Sequence, residues 1–168
     1  MNYKKALKEI ITTIVVAEIA AFLIVRFLYM PVSVSGSSMM NTLYDKDRGF
    51  VSIINRNLTG VKRFDIVVVD RNNEKYLIKR VIGLPGEVIE YRDNQLYIDG
   101  VAYSEDFLSE GTITDDYAIQ LNDNEYLVLG DHREVSNDSR SFGPITLEDI
   151  RAKNILIVYP FAHFGIKH

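Results

Sequence analysis

Tyr76-Leu77-Ile78-Lys79-Arg80-Val81-Ile82 leads into Gly83-Leu84-Pro85-Gly86-Glu87. The first seven residues repeat with a period of two, which is the pattern of a β-strand rather than a helix. The residues after them place proline and glycine where a type II turn takes them, so the strand is expected to end there.

The same period recurs on both sides of this strand. Before it, Phe50-Val51-Ser52-Ile53-Ile54 and Asp65-Ile66-Val67-Val68-Val69-Asp70 read as strands. After it, Glu87-Val88-Ile89-Glu90-Tyr91 and Gln95-Leu96-Tyr97-Ile98 flank Arg92-Asp93-Asn94, and Asp99-Gly100 turns into Val101-Ala102-Tyr103. Both are hairpin signatures. The stretch from Ser104 to Asp116 is acidic and loop-like. Tyr117-Ala118-Ile119-Gln120-Leu121, Tyr126-Leu127-Val128-Leu129 and Asn154-Ile155-Leu156-Ile157-Val158-Tyr159 complete the expected strands. Thr146, with Asp149 three residues on, resembles a capping box that opens a short helical turn. The expected fold is mostly β: one domain of short antiparallel strands arranged as a sandwich or barrel.

Composition excludes several chemistries. The chain has 168 residues and a net charge of -4, so no basic surface points to nucleic acid. It has no cysteine, which removes disulfides, thiol nucleophiles and thiolate metal sites. His132, His163 and His168 are the only histidines. Two of them lie in the C-terminal tail, so a multi-histidine metal site is not expected. No metal or cofactor is expected.

The N-terminus has a separate character. Lys4, Lys5 and Lys8 precede an apolar run from Ile10 to Met30 that Glu18 interrupts. About 20 apolar residues suffice to cross a bilayer core, and the lysine excess places the N-terminus inside. The expected organisation is a cytoplasmic segment at 1–9, a single-pass anchor at 10–30 and an extracytoplasmic domain at 31–168. A cleaved leader shares the charged start and apolar middle, and Ser33-Val34-Ser35 resembles a small-x-small cleavage site. The run is longer than a usual leader core and ends in Arg26 and Tyr29, which suit an interface. A buried soluble helix is the third reading. Glu18 argues for it, since a mid-bilayer carboxylate is costly unless protonated or paired.

Two stretches offer chemistry. Ser35-Gly36-Ser37-Ser38-Met39-Met40-Asn41-Thr42-Leu43 is a turn that can present a hydroxyl to a groove. Alternation puts Lys79 on one face with Leu77 and Val81. Burial there would lower its pKa and leave a neutral amine able to act as a base. On an edge face Lys79 would instead stay solvated, with only its stem on apolar surface. A serine hydroxyl needs such a base before it attacks. His132 beside Asp131 is a second candidate for that task.

Three separated stretches now resemble one family, the type I signal peptidases of peptidase family S26. Gly36 to Leu43 resembles their nucleophile box, Gly-x-Ser-Met-x-Pro-Thr-Leu. Tyr76 to Glu87 resembles their lysine box. Gly130-Asp131-His132-Arg133-Glu134-Val135-Ser136-Asn137-Asp138-Ser139-Arg140 resembles their Gly-Asp-Asn-Arg-x-x-Ser-x-Asp-Ser-Arg box. Arg63-Phe64-Asp65-Ile66-Val67-Val68 is similar to their arginine-glycine-aspartate strand. The small size resembles Gram-positive members.

The resemblance implies Ser38 as nucleophile and Lys79 as general base. It implies Ser136 as a group that orients the lysine, and Asp138 with Arg140 as a supporting ion pair. Arg80 matches a structural position. Gly36 and Met39 would lie at the oxyanion and substrate pocket. The implied function is removal of N-terminal signal peptides from exported preproteins at the cell membrane, after Ala-x-Ala-like sites, through an acyl-enzyme. The implied partners are signal peptides and membrane lipid. Asn41 departs from the family's proline and His132 from its asparagine. Gly36 stands where some relatives carry an oxyanion-binding serine. A self-cleaving serine-lysine regulator is a second reading, although such proteins carry a DNA-binding module instead of an anchor. A specialised or non-enzymatic factor for surface-protein or pilus assembly is the third.

Overall fold

The computed structural model describes residues 3–53, 59–71 and 75–167, without the side chains of residues 24–27 and 75. Ile54, the last residue of an expected strand, and the side chain of Arg26 lie outside the described residues.

The described strands form two antiparallel sheets. The larger contains β1 (Tyr29–Ser33), β2 (Arg48–Ser52), β3 (Ile66–Arg71), β4 (Lys75–Gly83), β9 (Glu125–Leu129), β10 (Ile145–Thr146) and β11 (Ile150–Tyr159). Their order is β1-β2-β11-β3-β4-β9-β10, and β12 (Gly165–Lys167) pairs with β11. The smaller sheet has the order β7-β6-β5-β8, with β5 at Val88–Arg92, β6 at Gln95–Ile98, β7 at Val101–Tyr103 and β8 at Tyr117–Gln120.

The continuous apolar run Ile66-Val67-Val68-Val69 explains why β3 is buried on both faces. On β3, Ile66 and Val68 enter a core cluster with Val34, Met39, Leu43 and Ile155, whereas Val67 and Val69 enter another with Val81, Val128 and Ile150. A third cluster, built on Ile82, Ile89, Tyr91, Leu96 and Leu127, joins the two sheets. The turns follow local chemistry. Asp93 and Asn94 both take positive φ between β5 and β6, as a two-residue I′ hairpin requires. Gly86 sits at φ +81° in the turn after β4. Thr146 donates its N–H to the Asp149 carboxylate at 2.7 Å, closing the expected helical turn over Leu147–Asp149.

Three strands and two helical turns, Ser139–Phe142 and Phe161–His163, were not expected. β1 joins the last two residues of the apolar run, Tyr29 and Met30, to Pro31–Ser33, and an edge strand accommodates Pro31. β10 and β12 are too short to show a period. A single helical turn, α2, spans Ser139–Phe142 and is capped by Asp138.

The N-terminal helix α1 spans Tyr3–Leu28. It stops two residues before the expected boundary, because Tyr29 and Met30 pair with Ser52 and Val51 in the sheet. Among the described residues no helix is long and apolar enough to cross a membrane. Within the apolar run the polar residues are Thr12, Thr13, Glu18 and Arg26. The remaining surface of α1 is nonetheless apolar: Ile10, Ile11, Ile14, Val15, Val16, Ile19, Phe22 and Leu23 are all exposed.

Candidate active site

Ser38 lies in the loop from Val34 to Asp47, which crosses one face of the larger sheet. Met39 and Leu43 plug this loop into the core, at 2% and 0% exposure. The intervening backbone turns tightly, with Met40 N–H on Ser37 O and Leu43 N–H on Met39 O. Ser38 is thereby held above the start of β4. Lys79 is 2% exposed, so the buried-face reading holds, and its Nζ lies 2.7 Å from Ser38 Oγ.

Burial is the main influence on that amine. It lowers the Lys79 pKa from 10.5 to about 8, against opposing pulls from the Asp138 and Asp131 carboxylates. The Arg140 cation works with burial by offsetting Asp138. Asp138 is fully buried; burial alone would raise its pKa, but Arg140 and the Gly130 N–H outweigh this and hold it below its ordinary value. The Arg140 guanidinium forks onto both Asp138 oxygens at 2.9 Å and also reaches Arg133 O at 2.6 Å.

Ser136 lies against Gly130 and near Asp138. Its Oγ is enclosed, lies close enough to Asp138 to help lower that pKa, and makes no hydrogen bond to Lys79 or another described group. It sits against Gly130, where an added Cβ would fall 2.2 Å from Ser136 Oγ and 2.4 Å from Ser38 O. Close approach of the Ser38 backbone therefore requires glycine at 130.

The histidine alternative is not assembled. His132 points its Nδ1 at Ser37 O, 3.3 Å away, and its backbone N–H donates to Ser38 O at 3.0 Å. Its neighbour Asp131 is committed elsewhere. Arg80 grips Asp131 through Nε at 2.9 Å and Nη2 at 2.7 Å, and Thr42 donates its hydroxyl to the same carboxylate. Both charged groups are almost fully buried. Arg80 also donates to Phe64 O at 2.8 Å and lies over the Phe107 ring. Arg80 from the lysine strand, Thr42 from the serine loop and Asp131 from the third stretch thus share one contact. Sequence reasoning assigned no role to Thr42 and considered Asp131 only as the neighbour of His132. The available signal was Arg80 itself, since an arginine inside an apolar strand demands a buried acceptor.

A groove of about 310 Å³ runs past Ser38, between β1 and the first half of β4. Met30, Val32, Val34, Met39, Val68 and Ile78 help line it. Gly36 lies at its rim with φ +90°, and its N–H is engaged by Asp45 Oδ1 at 2.9 Å. The Ser38 N–H has no partner among the described residues. No group of side chains that could hold a metal ion occurs among them either.

Asn41 carries a specific consequence. Its φ is +82°, which asparagine tolerates and proline, fixed near -65°, cannot adopt. Restoring the family-type proline as Asn41→Pro is expected to lower stability by more than about 1 kcal/mol and to cut activity, whereas Asn41→Gly should be near neutral. Thermal melts beside peptide-cleavage rates check this.

A serine hydroxyl against a buried amine, at the floor of an extended groove, is the equipment of a serine endopeptidase. The comparisons agree and place it further: the chain belongs to the signal peptidase family, peptidase S26, whose model matches residues 7–159. It is 37% identical over 169 residues to signal peptidase I of Bacillus amyloliquefaciens, covering 94% of this chain and 91% of that one. It is 36% identical to signal peptidase I S of Bacillus subtilis, covering 96% and 94%. Signal peptidase IB of Staphylococcus aureus is 35% identical over 179 residues, with the same coverage. A solved signal peptidase I from Enterococcus faecalis matches with a TM-score of 0.50 at 35% identity, covering 55% of this chain and 95% of that one.

Proposed function

We propose that this signal peptidase removes N-terminal signal peptides from exported preproteins by a serine-lysine mechanism, with Ser38 as nucleophile and Lys79 as general base. The observation that carries the reading is the 2.7 Å approach of a buried Lys79 Nζ to Ser38 Oγ. A neutral amine accepts the Ser38 proton as Oγ attacks the scissile carbonyl carbon. The Ser38 N–H is available to the resulting oxyanion. The protonated amine then gives its proton to the leaving nitrogen, which departs as the new N-terminus of the mature protein. The signal peptide remains as an ester on Ser38. Water, deprotonated by Lys79, attacks that ester and frees the signal peptide.

The groove supports a substrate bound as an added strand. From Lys75 to Lys79, β4 is paired on one side by β3, while β9 joins its other side only from Arg80 onward. A peptide edge can pair there. The apolar lining around Met39 and Ile78 fits small side chains, as an Ala-x-Ala preference requires. Ser136, Asp138 and Arg140 act from behind the pair, with Asp138 and Arg140 setting the local field. We further propose residues 31–168 as an extracytoplasmic catalytic domain and α1 as the membrane anchor, with residues 1–9 cytoplasmic. The exposed apolar side chains of α1 and its leading lysines support that placement. Holding the groove at the membrane raises the effective concentration of membrane-bound substrate.

The reaction requires the neutral amine, so kcat/KM is expected to rise with pH and reach half its plateau near pH 8. Arg140→Gln removes the cation that offsets Asp138, so Lys79 holds its proton more tightly and the limb should move to higher pH. A pH–rate profile of wild type and Arg140→Gln tests both statements. A wild-type limb near pH 6, where an ordinary histidine titrates, would count against Lys79 as the base.

A further inference from the structure

The loop that carries Ser38 is closed at its base by Asp47. Asp47 O accepts the Val34 N–H at 2.8 Å, and the adjacent Lys46 N–H donates to Val34 O at 3.0 Å. One oxygen of the Asp47 carboxylate accepts the Tyr44 N–H at 2.9 Å. Asp47 is 0% exposed, so its charge needs a partner from outside the loop. That partner comes from the far end of the chain. His163, in the helical turn Phe161–His163 after β11, brings Nδ1 to 2.6 Å from the other Asp47 oxygen. Its ring stacks on Tyr44, with centroids 4.4 Å apart and planes at 27°. The loop is therefore clamped at two places. The Gly130–His132 backbone and Asp131 hold its Ser38–Thr42 part, and His163 holds its base.

We propose that His163 is a positioning residue for the Ser38 loop, acting through Asp47 and Tyr44. It lies beyond residue 159, where the match to the family model ends. The inference rests on the reading of Ser38 as nucleophile. With His163 removed, one Asp47 oxygen is left buried without its partner, and the loop loses its fixed height above Lys79. Displacement of a nucleophile by a fraction of an ångström lowers the rate of the chemical step more than it changes substrate binding in the groove.

The test uses the full chain in detergent micelles and a peptide containing an Ala-x-Ala site. His163 is about one-third exposed, so its truncation should leave a folded protein. His163→Ala is expected to lower kcat by roughly tenfold or more, with KM within about twofold of wild type. Added imidazole should restore a substantial part of the loss by refilling the site, and His163→Gln, which keeps an N–H donor, should lose less. In an Asp47→Asn background the His163→Ala change should have little further effect, because the two act as one unit. Wild-type kcat in His163→Ala, a loss confined to KM, or a loss that follows the folded fraction and ignores imidazole would each overturn the proposal. Ser38→Ala separates the two levels. Cleavage retained there defeats the serine-lysine reading itself, whereas a dead Ser38→Ala beside a fully active His163→Ala defeats only the role of His163.

Discussion

Lys79→Met is expected to inactivate the enzyme and stabilise it at the same time. Lowering the Lys79 pKa from 10.5 to about 8 means that the folded state disfavours the ammonium by about 3 kcal/mol. The sign follows from linkage. The unfolded chain binds the proton more tightly, so stability rises with pH between about 8 and 10.5, and the full penalty stands below pH 8. Methionine fills a similar volume without a charge to desolvate. Urea titration at pH 7 should therefore show Lys79→Met more stable than wild type by up to about 3 kcal/mol. Its kcat should fall roughly 10³- to 10⁶-fold, as for removal of other general bases that activate a serine. Lys79→Arg should be equally inactive, because a guanidinium keeps its proton at working pH. A group retained at such a cost in stability is the mark of a functional site. Lys79→Met that lost stability while keeping activity would reduce Lys79 to a structural residue.

The second large effect lies at Arg80 and Asp131. Asp131→Ala leaves the Arg80 guanidinium buried without its carboxylate, which costs about 3–5 kcal/mol. It also removes the acceptor that ties Thr42 to the third stretch, so the Ser38 loop loosens as well. Arg80→Lys cannot replace the fork, since an ammonium offers no planar pair of donors. Replacing both partners, as Arg80→Met with Asp131→Leu, should recover most of the stability, because an apolar pair has no charge to satisfy. Activity should stay low in the double variant, since neither new side chain accepts from Thr42. Denaturation midpoints of the two single variants and the double variant, beside their cleavage rates, check this. Additive losses would mean that the ion pair is not the unit described here.

Much of this architecture could be read from residue order. β3 to β9 were visible because their residues alternate and their turns carry Asp-Asn, Asp-Gly and Pro-Gly at positions with strict backbone demands. β1 was hidden because its first two residues, Tyr29 and Met30, end the apolar run and Pro31 breaks the pattern, and only pairing with β2 makes it a strand. The helix boundary was misplaced for a related reason. A count of apolar residues gives no weight to the sheet that captures Tyr29 and Met30.

At the site, the approach of Lys79 to Ser38 follows the expectation drawn from local pattern and family resemblance. Ser136 makes no hydrogen bond to Lys79; its hydroxyl lies by Asp138 and Gly130. The clamps on the loop were invisible, because their partners are far apart in sequence. Thr42 and Asp131 are separated by 89 residues, and Asp47 and His163 by 116. No local periodicity encodes such a contact. Only the demand of a buried charge for a partner hints at it, and that demand does not name the partner.

The central claim is that Ser38, activated by Lys79, cuts preproteins. The most direct test is cleavage of a secreted precursor by membranes carrying wild type, Ser38→Ala, Lys79→Ala or His132→Ala, followed by sequencing of the product's N-terminus. The account predicts a single new N-terminus after a small-x-small site, absent with Ser38→Ala and Lys79→Ala and present with His132→Ala. Cleavage that survives Ser38→Ala or Lys79→Ala, or that is lost in a folded His132→Ala, would contradict it.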